Sequence, residues 1–139
     1  MIDSLKKIDN RVSTRCASFN LIEEGVLHIV LMEDSDIDID ESKLMQTKSL
    51  ALTEGEKFVA LIDARAKINV SKESREWGST AEAQINMIAQ AILVNTLANR
   101  IVGNFIIKFH KPIAKTALFT DEKSALTWLR EQKKLADLK

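Results

Sequence analysis

The sequence predicts a single α/β domain built on a mixed, mostly parallel sheet. The run from Phe58 to Ile62 is short and fully apolar, as expected for a strand buried on both faces. Helix-like periodicity alternates with strand-like runs along most of the chain, which favours parallel strands joined by helical crossovers. Two β-leaning segments near the start flank a glycine and predict an antiparallel hairpin. The predicted order is β-β-α-β-α-β-α-β-α, with about four helices.

The hairpin is the first predicted element. One strand lies within Val12 to Ile22 and the next spans Val26 to Met32. The turn between them contains Gly25, which can take a positive φ without steric cost. We therefore expect these two strands to pair antiparallel.

An acidic stretch follows and leads into the first predicted helix. Asp38 precedes Glu41 by three residues, a spacing that resembles a capping box. We expect this helix to run to about Leu52 and to end before Gly55. The residues expected to share one face are Leu44, Met45, Lys48 and Leu52.

The central strand, Phe58 to Ile62, is expected to end at Asp63 and to be followed by a loop. Ser71 is predicted to cap the next helix, with Ser74 three residues later. Gly78 is expected to kink or interrupt that helix. A second start is expected at Ser79 or Thr80.

The segment Ile85 to Val94 is ambiguous between helix and strand, and we predict a buried strand over Ala89 to Val94. A periodic helix is expected from Asn95 to Phe109, because proline at position 112 disfavours its continuation. The last strand is predicted at Thr116 to Phe119. A final helix is expected after a Thr120 cap, with the apolar face Ala125, Trp128, Leu129 and Leu135.

Composition sets limits on function. The chain has 139 residues, which suits one domain, with its core at about 25–130. Twenty basic residues balance twenty acidic ones, so a general nucleic-acid binder is not expected, and self-association is not opposed by charge. No run is long and apolar enough for a signal peptide or a transmembrane helix, so the predicted location is cytoplasmic. The single cysteine, Cys16, is expected to be a small buried side chain.

Recognisable catalytic or metal chemistry is missing from the sequence. His28 and His110 have no cysteine or histidine at ligand spacing, and the acidic run at 33–41 lacks the glycine of a calcium loop. We therefore predict no metal and no cofactor, and we favour a non-enzyme. An enzyme stays open, because Asp63, Arg65, Ser71 and a histidine could converge in three dimensions.

Three segments carry a family resemblance: Phe58 to Trp77, Ala91 to Phe105, and Lys111-Pro112 with Leu118 to Leu129. Together with the element order, they resemble the STAS, or anti-sigma-factor-antagonist-like, fold. More narrowly, the chain is similar to small bacterial proteins described as STAS/SEC14-like. The resemblance covers roughly Gly25 to Arg130.

The resemblance implies a partner-binding switch at one helix start. In classical STAS regulators the strand-end aspartate is followed by Asp-Ser-Ser/Thr-Gly at a helix N-terminus, where a phosphorylated serine controls partner binding. Asp63 matches the strand-end aspartate, and Ser71 takes the place of the capping aspartate. Lys72 and Glu73 occupy the positions of the switch serine, so the family switch is not reproduced. Ser71 is either a plain N-cap or an alternative phosphorylation site.

The expected function is a non-catalytic regulatory or protein-interaction module that acts as a homodimer. Its expected contact surface lies near the end of the central strand. The residues assigned to it are Asp63, Arg65, Ser71, Lys72, Arg75 and Trp77.

An alternative is a domain that binds an apolar small molecule or lipid, by analogy with SEC14-like proteins. The apolar positions of the helix predicted at Asn95 to Phe109 spread over about half of its circumference, which suggests burial plus dimerisation or an apolar ligand. The apolar interface candidates are Leu97, Ile101, Phe105 and Phe109.

Overall fold

The computed structural model describes residues 12–95 and 113–137. The structure contains a six-stranded sheet, whose strands in spatial order are β1 (Val12–Ser13), β2 (Ala17–Glu23), β3 (Val26–Leu31), β5 (Phe58–Asp63), β7 (Met87–Leu93) and β8 (Lys115–Phe119). The first three strands pair antiparallel, and β3, β5, β7 and β8 run parallel to one another.

Two further short strands and three helices complete the described residues. The two strands pair parallel as a small separate ribbon. None of the three described helices is long and apolar enough to span a membrane. The strands of the ribbon are β4 (Ser35–Ile37) and β6 (Ile68–Val70), and the helices are α1 (Ile39–Leu52), α2 (Lys72–Gly78) and α3 (Glu122–Asp137).

The mixed, mostly parallel sheet and its antiparallel hairpin are confirmed. The predicted element order is not matched, because β1, β4 and β6 are additional strands of only two or three residues. Such strands are too short to produce a period-two pattern, and the β4–β6 pairing brings together segments more than thirty residues apart. Three helices are described rather than four, since positions 96–109 of the third predicted helix lie outside the described residues.

Helices cover both faces of the sheet, and β5 is buried between the two helical layers. Phe58 and Ala60 belong to a cluster that packs against α1, whereas Val59 and Leu61 belong to a cluster that includes Ala125 and Leu129 of α3. The predicted central strand is therefore confirmed as buried. The uncertain segment at 85–94 is a strand from Met87 onward.

The capping prediction for α1 is confirmed, since Asp38 Oδ1 accepts from the backbone N of Glu41 at 2.8 Å. The reciprocal half of a capping box is not formed. Glu41 is 5% exposed, and its Oε1 accepts from the backbone N of Cys16 at 3.3 Å. Met45 and Leu52 pack against the core, whereas Leu44, which was predicted to share their face, is 43% exposed.

The later helices correct two boundary predictions. α2 ends at Gly78, and residues 79–84 form turns rather than a second helix. The cap of α3 is Asp121 and not Thr120, because Asp121 Oδ2 accepts from the backbone N of Ser124 at 2.8 Å. That bond holds the pKa of Asp121 below its usual range. A carboxylate at this position also suits the helix dipole.

The inward face of α3 gives a matched test of core packing. Leu129 is fully buried, whereas Leu135 on the same helix is 47% exposed. We expect Leu129→Ala to lower the free energy of unfolding by about 2 to 5 kcal/mol, because it removes buried methyl groups and leaves a cavity. The control Leu135→Ala should cost less than about 1 kcal/mol. Urea unfolding followed by circular dichroism measures both, and equal losses would contradict this packing.

Candidate functional site

The candidate residues fall into two groups at the end of β5. The chain leaves β5 at Asp63, passes through β6 of the ribbon and enters α2 at Ser71. No hydrogen bond or ion pair among the described residues joins Asp63 or Arg65 to the α2 residues. β6 thus lies between the two groups along the chain, and the sequence-predicted surface has two parts.

The first part is an internal ion pair between Asp63 and Arg65. Asp63 Oδ2 lies 2.7 Å from Arg65 Nη2, and Oδ1 accepts from Arg65 Nε at 2.9 Å and from its backbone N at 3.1 Å. The hydrogen bond from the Arg65 side chain lowers the pKa of Asp63, although partial burial opposes that shift. Asn95 Nδ2 donates to the backbone O of Arg65 at 3.0 Å. This geometry keeps Asp63 ionised and orients the guanidinium.

The second part is α2, which is anchored on α1. Ser71 Oγ accepts from the backbone N of Ser74 at 3.1 Å, so the predicted N-cap is confirmed. Ser74 is buried, and its hydroxyl hydrogen-bonds to Ser42 of α1 and to the backbone O of Asp38. The start of α2 is therefore held against the start of α1.

The charged residues of α2 face outward. Lys72 and Arg75 are exposed, as are Glu73 and Glu76. Lys72 Nζ lies 3.9 Å from Glu76 Oε1, an exposed pair that contributes little to stability. Arg75 Nη1 donates to the backbone O of Val70 at 2.6 Å, which ties its guanidinium to the strand before the helix.

Trp77 is the aromatic residue of this surface. It is partly exposed, and its indole Nε1 donates to Glu82 Oε2 at 3.3 Å. Lys43 Nζ of α1 lies 5.9 Å from the centre of the Trp77 ring, within cation–π range. These two contacts hold the ring while part of it stays exposed to solvent. We call Lys72, Arg75, Trp77 and Lys43 the α2 surface.

Sequence reasoning missed several residues of this site. Ser42, Ser74 and Lys43 matter because α1 and α2 touch, and no local pattern encodes that contact. Glu82 was assigned to a restarted helix, but the turn at 79–84 brings it back to Trp77. The sequence signal that could have found it was Gly78 followed by Ser and Thr, which is typical of a turn.

The apolar interface candidates Leu97, Ile101, Phe105 and Phe109 lie outside the described residues. Trp128 packs on the core, with its ring centre 5.6 Å from that of Phe119. Because the four interface candidates lie outside the described residues, the binding of an apolar ligand stays a prediction from the sequence.

Two other side chains with potentially reactive groups, Cys16 and His28, are fully or partly buried. Cys16 is fully buried as predicted, and burial raises the pKa of its thiol. His28 lies partly exposed on β3, but its Nε2 is buried without a hydrogen-bond partner. In residues 12–95 and 113–137, no three histidine, cysteine or acidic side chains are grouped to hold a metal ion.

The Asp63–Arg65 pair gives a pH-dependent prediction. In the folded state the pKa of Asp63 is below its ordinary 3.8, so the pair stabilises the fold fully above about pH 5 and loses this effect as the pH falls below 3.8, through the lowered pKa of the folded state. A double-mutant cycle with Asp63→Asn and Arg65→Gln should give a coupling of about 0.5 to 1 kcal/mol at pH 7. The coupling should be smaller at pH 3.

Urea unfolding at the two pH values measures this coupling. The exposed Lys72–Glu76 pair is the control, and its cycle with Lys72→Gln and Glu76→Gln should give a coupling near zero. A coupling between Asp63 and Arg65 that is unchanged or larger at pH 3 would contradict the assigned ion pair.

Comparison with solved structures supports the fold. The chain is similar to a crystal structure of an uncharacterized protein from Shewanella loihica PV-4, of the DUF3478 family and with a SpoIIAA-like fold. The TM-score is 0.60 at 15% sequence identity, over 85% of this chain and 98% of that one. The resemblance to the anti-sigma-factor-antagonist-like fold is therefore confirmed at the level of the fold.

Comparison with proteins of curated function finds no match. A family model described as a domain of unknown function, DUF7793, matches residues 20–133. This range includes every strand of the parallel part of the sheet and both parts of the candidate site. The chain belongs to the DUF7793 family.

Proposed function

We propose that this protein is a non-catalytic regulatory module that binds a protein partner through the α2 surface and acts as a homodimer. The observation that carries the proposal is Trp77, a partly exposed indole held by Lys43 and Glu82. Tryptophan and arginine are enriched among the residues that dominate binding energy at protein interfaces. Arg75 lies two residues away and is itself fixed by Val70.

Preorganisation is the second support for this proposal. Binding costs conformational entropy for every side chain that must be ordered at an interface. On the α2 surface that cost is reduced, because the Ser71 cap, the buried Ser74 and the Trp77 contacts already fix the helix and its ring. The resemblance to STAS regulators points to the same helix start as the partner-binding element.

The dimer is part of the proposal and rests on the sequence. Equal numbers of acidic and basic residues leave no net charge to oppose association. The helix predicted at Asn95 to Phe109 gives a second reason to expect a dimer, because its apolar positions spread over about half of its circumference. A cytoplasmic location and the bacterial origin that the family resemblance implies stay predictions.

We expect Trp77→Ala and the double variant Lys72→Glu with Arg75→Glu to reduce capture of the native partner at least tenfold. The first removes the aromatic anchor, and the second reverses the charge beside it. Tagged protein expressed in its own host, followed by quantitative mass spectrometry of the captured proteins, measures the effect.

The matched control is Lys57→Glu with Lys134→Glu, which reverses two exposed charges away from α2. This control should retain capture, and circular dichroism should show that all variants are folded. If the α2 variants capture the same proteins in the same amounts as the wild type, the proposed surface is wrong.

A further inference from the structure

Among residues 12–95 and 113–137, β8 is an edge strand of the six-stranded sheet. It pairs with β7 on one side, and no other described strand lies on its outer side. Phe119 is aligned with Leu93, and its backbone O accepts from the backbone N of Val94 at 2.9 Å. Because successive residues of a strand direct their main-chain groups to opposite neighbours, Thr116 and Leu118 direct theirs outward.

The other edge strands among the described residues are poorly suited to pairing with a strand of another chain. β1 at the opposite edge of the sheet has two residues, and each strand of the β4–β6 ribbon has three. The ribbon also carries an exposed charge at Asp36. Charges and short strands are the usual protection of sheet edges. β8 has five residues, and Thr116–Phe119 is uncharged.

We propose that β8 is the dimer interface and pairs antiparallel with β8 of a second copy, about a two-fold axis at Ala117. This inference rests on the homodimer of the proposed function and assigns its contact surface. Thr116 would then lie opposite Leu118 of the second copy, and each such pair exchanges two N–H···O bonds. The two six-stranded sheets would become one continuous sheet.

The charges at the ends of β8 favour a second copy in the antiparallel direction. Lys115 begins the strand, whereas Asp121 and Glu122 follow its end. Antiparallel pairing places Lys115 opposite Phe119 of the second copy and near that copy's acidic residues. A parallel arrangement would place the two Lys115 side chains together, which is unfavourable.

The residue on the axis also suits this pairing. The two Ala117 residues would form a non-hydrogen-bonded pair, in which Cα atoms approach to about 4.5 Å and side chains are closest. Alanine is small enough for that approach, and Ala117 is only partly buried.

Cysteine cross-linking tests the register. Under mild oxidation, Ala117→Cys should form a disulfide-linked dimer on non-reducing gels, because its Cα separation falls within disulfide range. Thr116→Cys and Leu118→Cys should stay unlinked, because each new thiol is offset from its copy by more than the roughly 7 Å that a disulfide spans. The wild type should also stay unlinked, since Cys16 is fully buried.

A proline variant gives a second measurement. Thr116→Pro removes one outward N–H, and proline is tolerated at an edge position of this kind. We expect a folded protein with the mass of one chain by light scattering, whereas the wild type has the mass of two. A folded Thr116→Pro protein that remains dimeric would overturn the proposal. If the proline variant does not fold, the cysteine series decides.

The possible outcomes distinguish failure of the β8 interface from failure of the proposed function. Cross-linking at position 117 alone supports the β8 pairing. A dimeric wild type whose position 117 does not cross-link, or whose three positions cross-link equally, overturns the β8 interface and leaves the dimer. A monomeric wild type overturns both the β8 interface and the homodimer. The α2 surface is still tested by the Trp77→Ala variant.

Discussion

The burial of β5 is the constraint on which the other elements depend. Its residues Phe58–Leu61 are at most 2% exposed, and it has a parallel neighbour on each side. Two faces must therefore be covered at once, by α1 on one side and by α3 on the other. Parallel neighbours also require crossover connections, which place the end of β5, the ribbon and α2 at one end of the sheet. The position of the candidate site follows from that topology.

Two polar contacts hold the helices that carry the α2 surface in place. Glu41 is buried at the start of α1 and binds the backbone of Cys16, which fixes that helix against β2. Ser74 then fixes α2 against α1. A buried carboxylate is costly unless it is paired and hydrogen-bonded, and Arg15 Nε lies 3.6 Å from Glu41 Oε2. The orientation of Trp77 therefore depends on a chain of contacts that begins in the sheet.

The sequence was informative where a residue's role is local. The apolar run of β5, the glycine of the hairpin and the caps Asp38 and Ser71 all act within a few residues, and each was predicted. Contacts between distant segments were not predictable: the β4–β6 ribbon, the Ser42–Ser74 bond and the Lys43–Trp77 contact have no local pattern. Leu44 shows the same limit, because it is 43% exposed although it is apolar, whereas the charged residue Glu41 is buried. The candidate site residues lie in one chain segment, and their division into an ion pair and an anchored helix became visible only in the fold.

The most direct test of the α2 surface is amide hydrogen exchange of the protein alone and with a partner purified from its host. Slower exchange on binding should be confined to residues 71–77 and the facing part of α1 around Lys43. That pattern would show that the partner covers the preorganised helix and its tryptophan. Slower exchange confined to α3, with residues 71–77 unchanged, would contradict the assignment of α2 as the partner-binding surface.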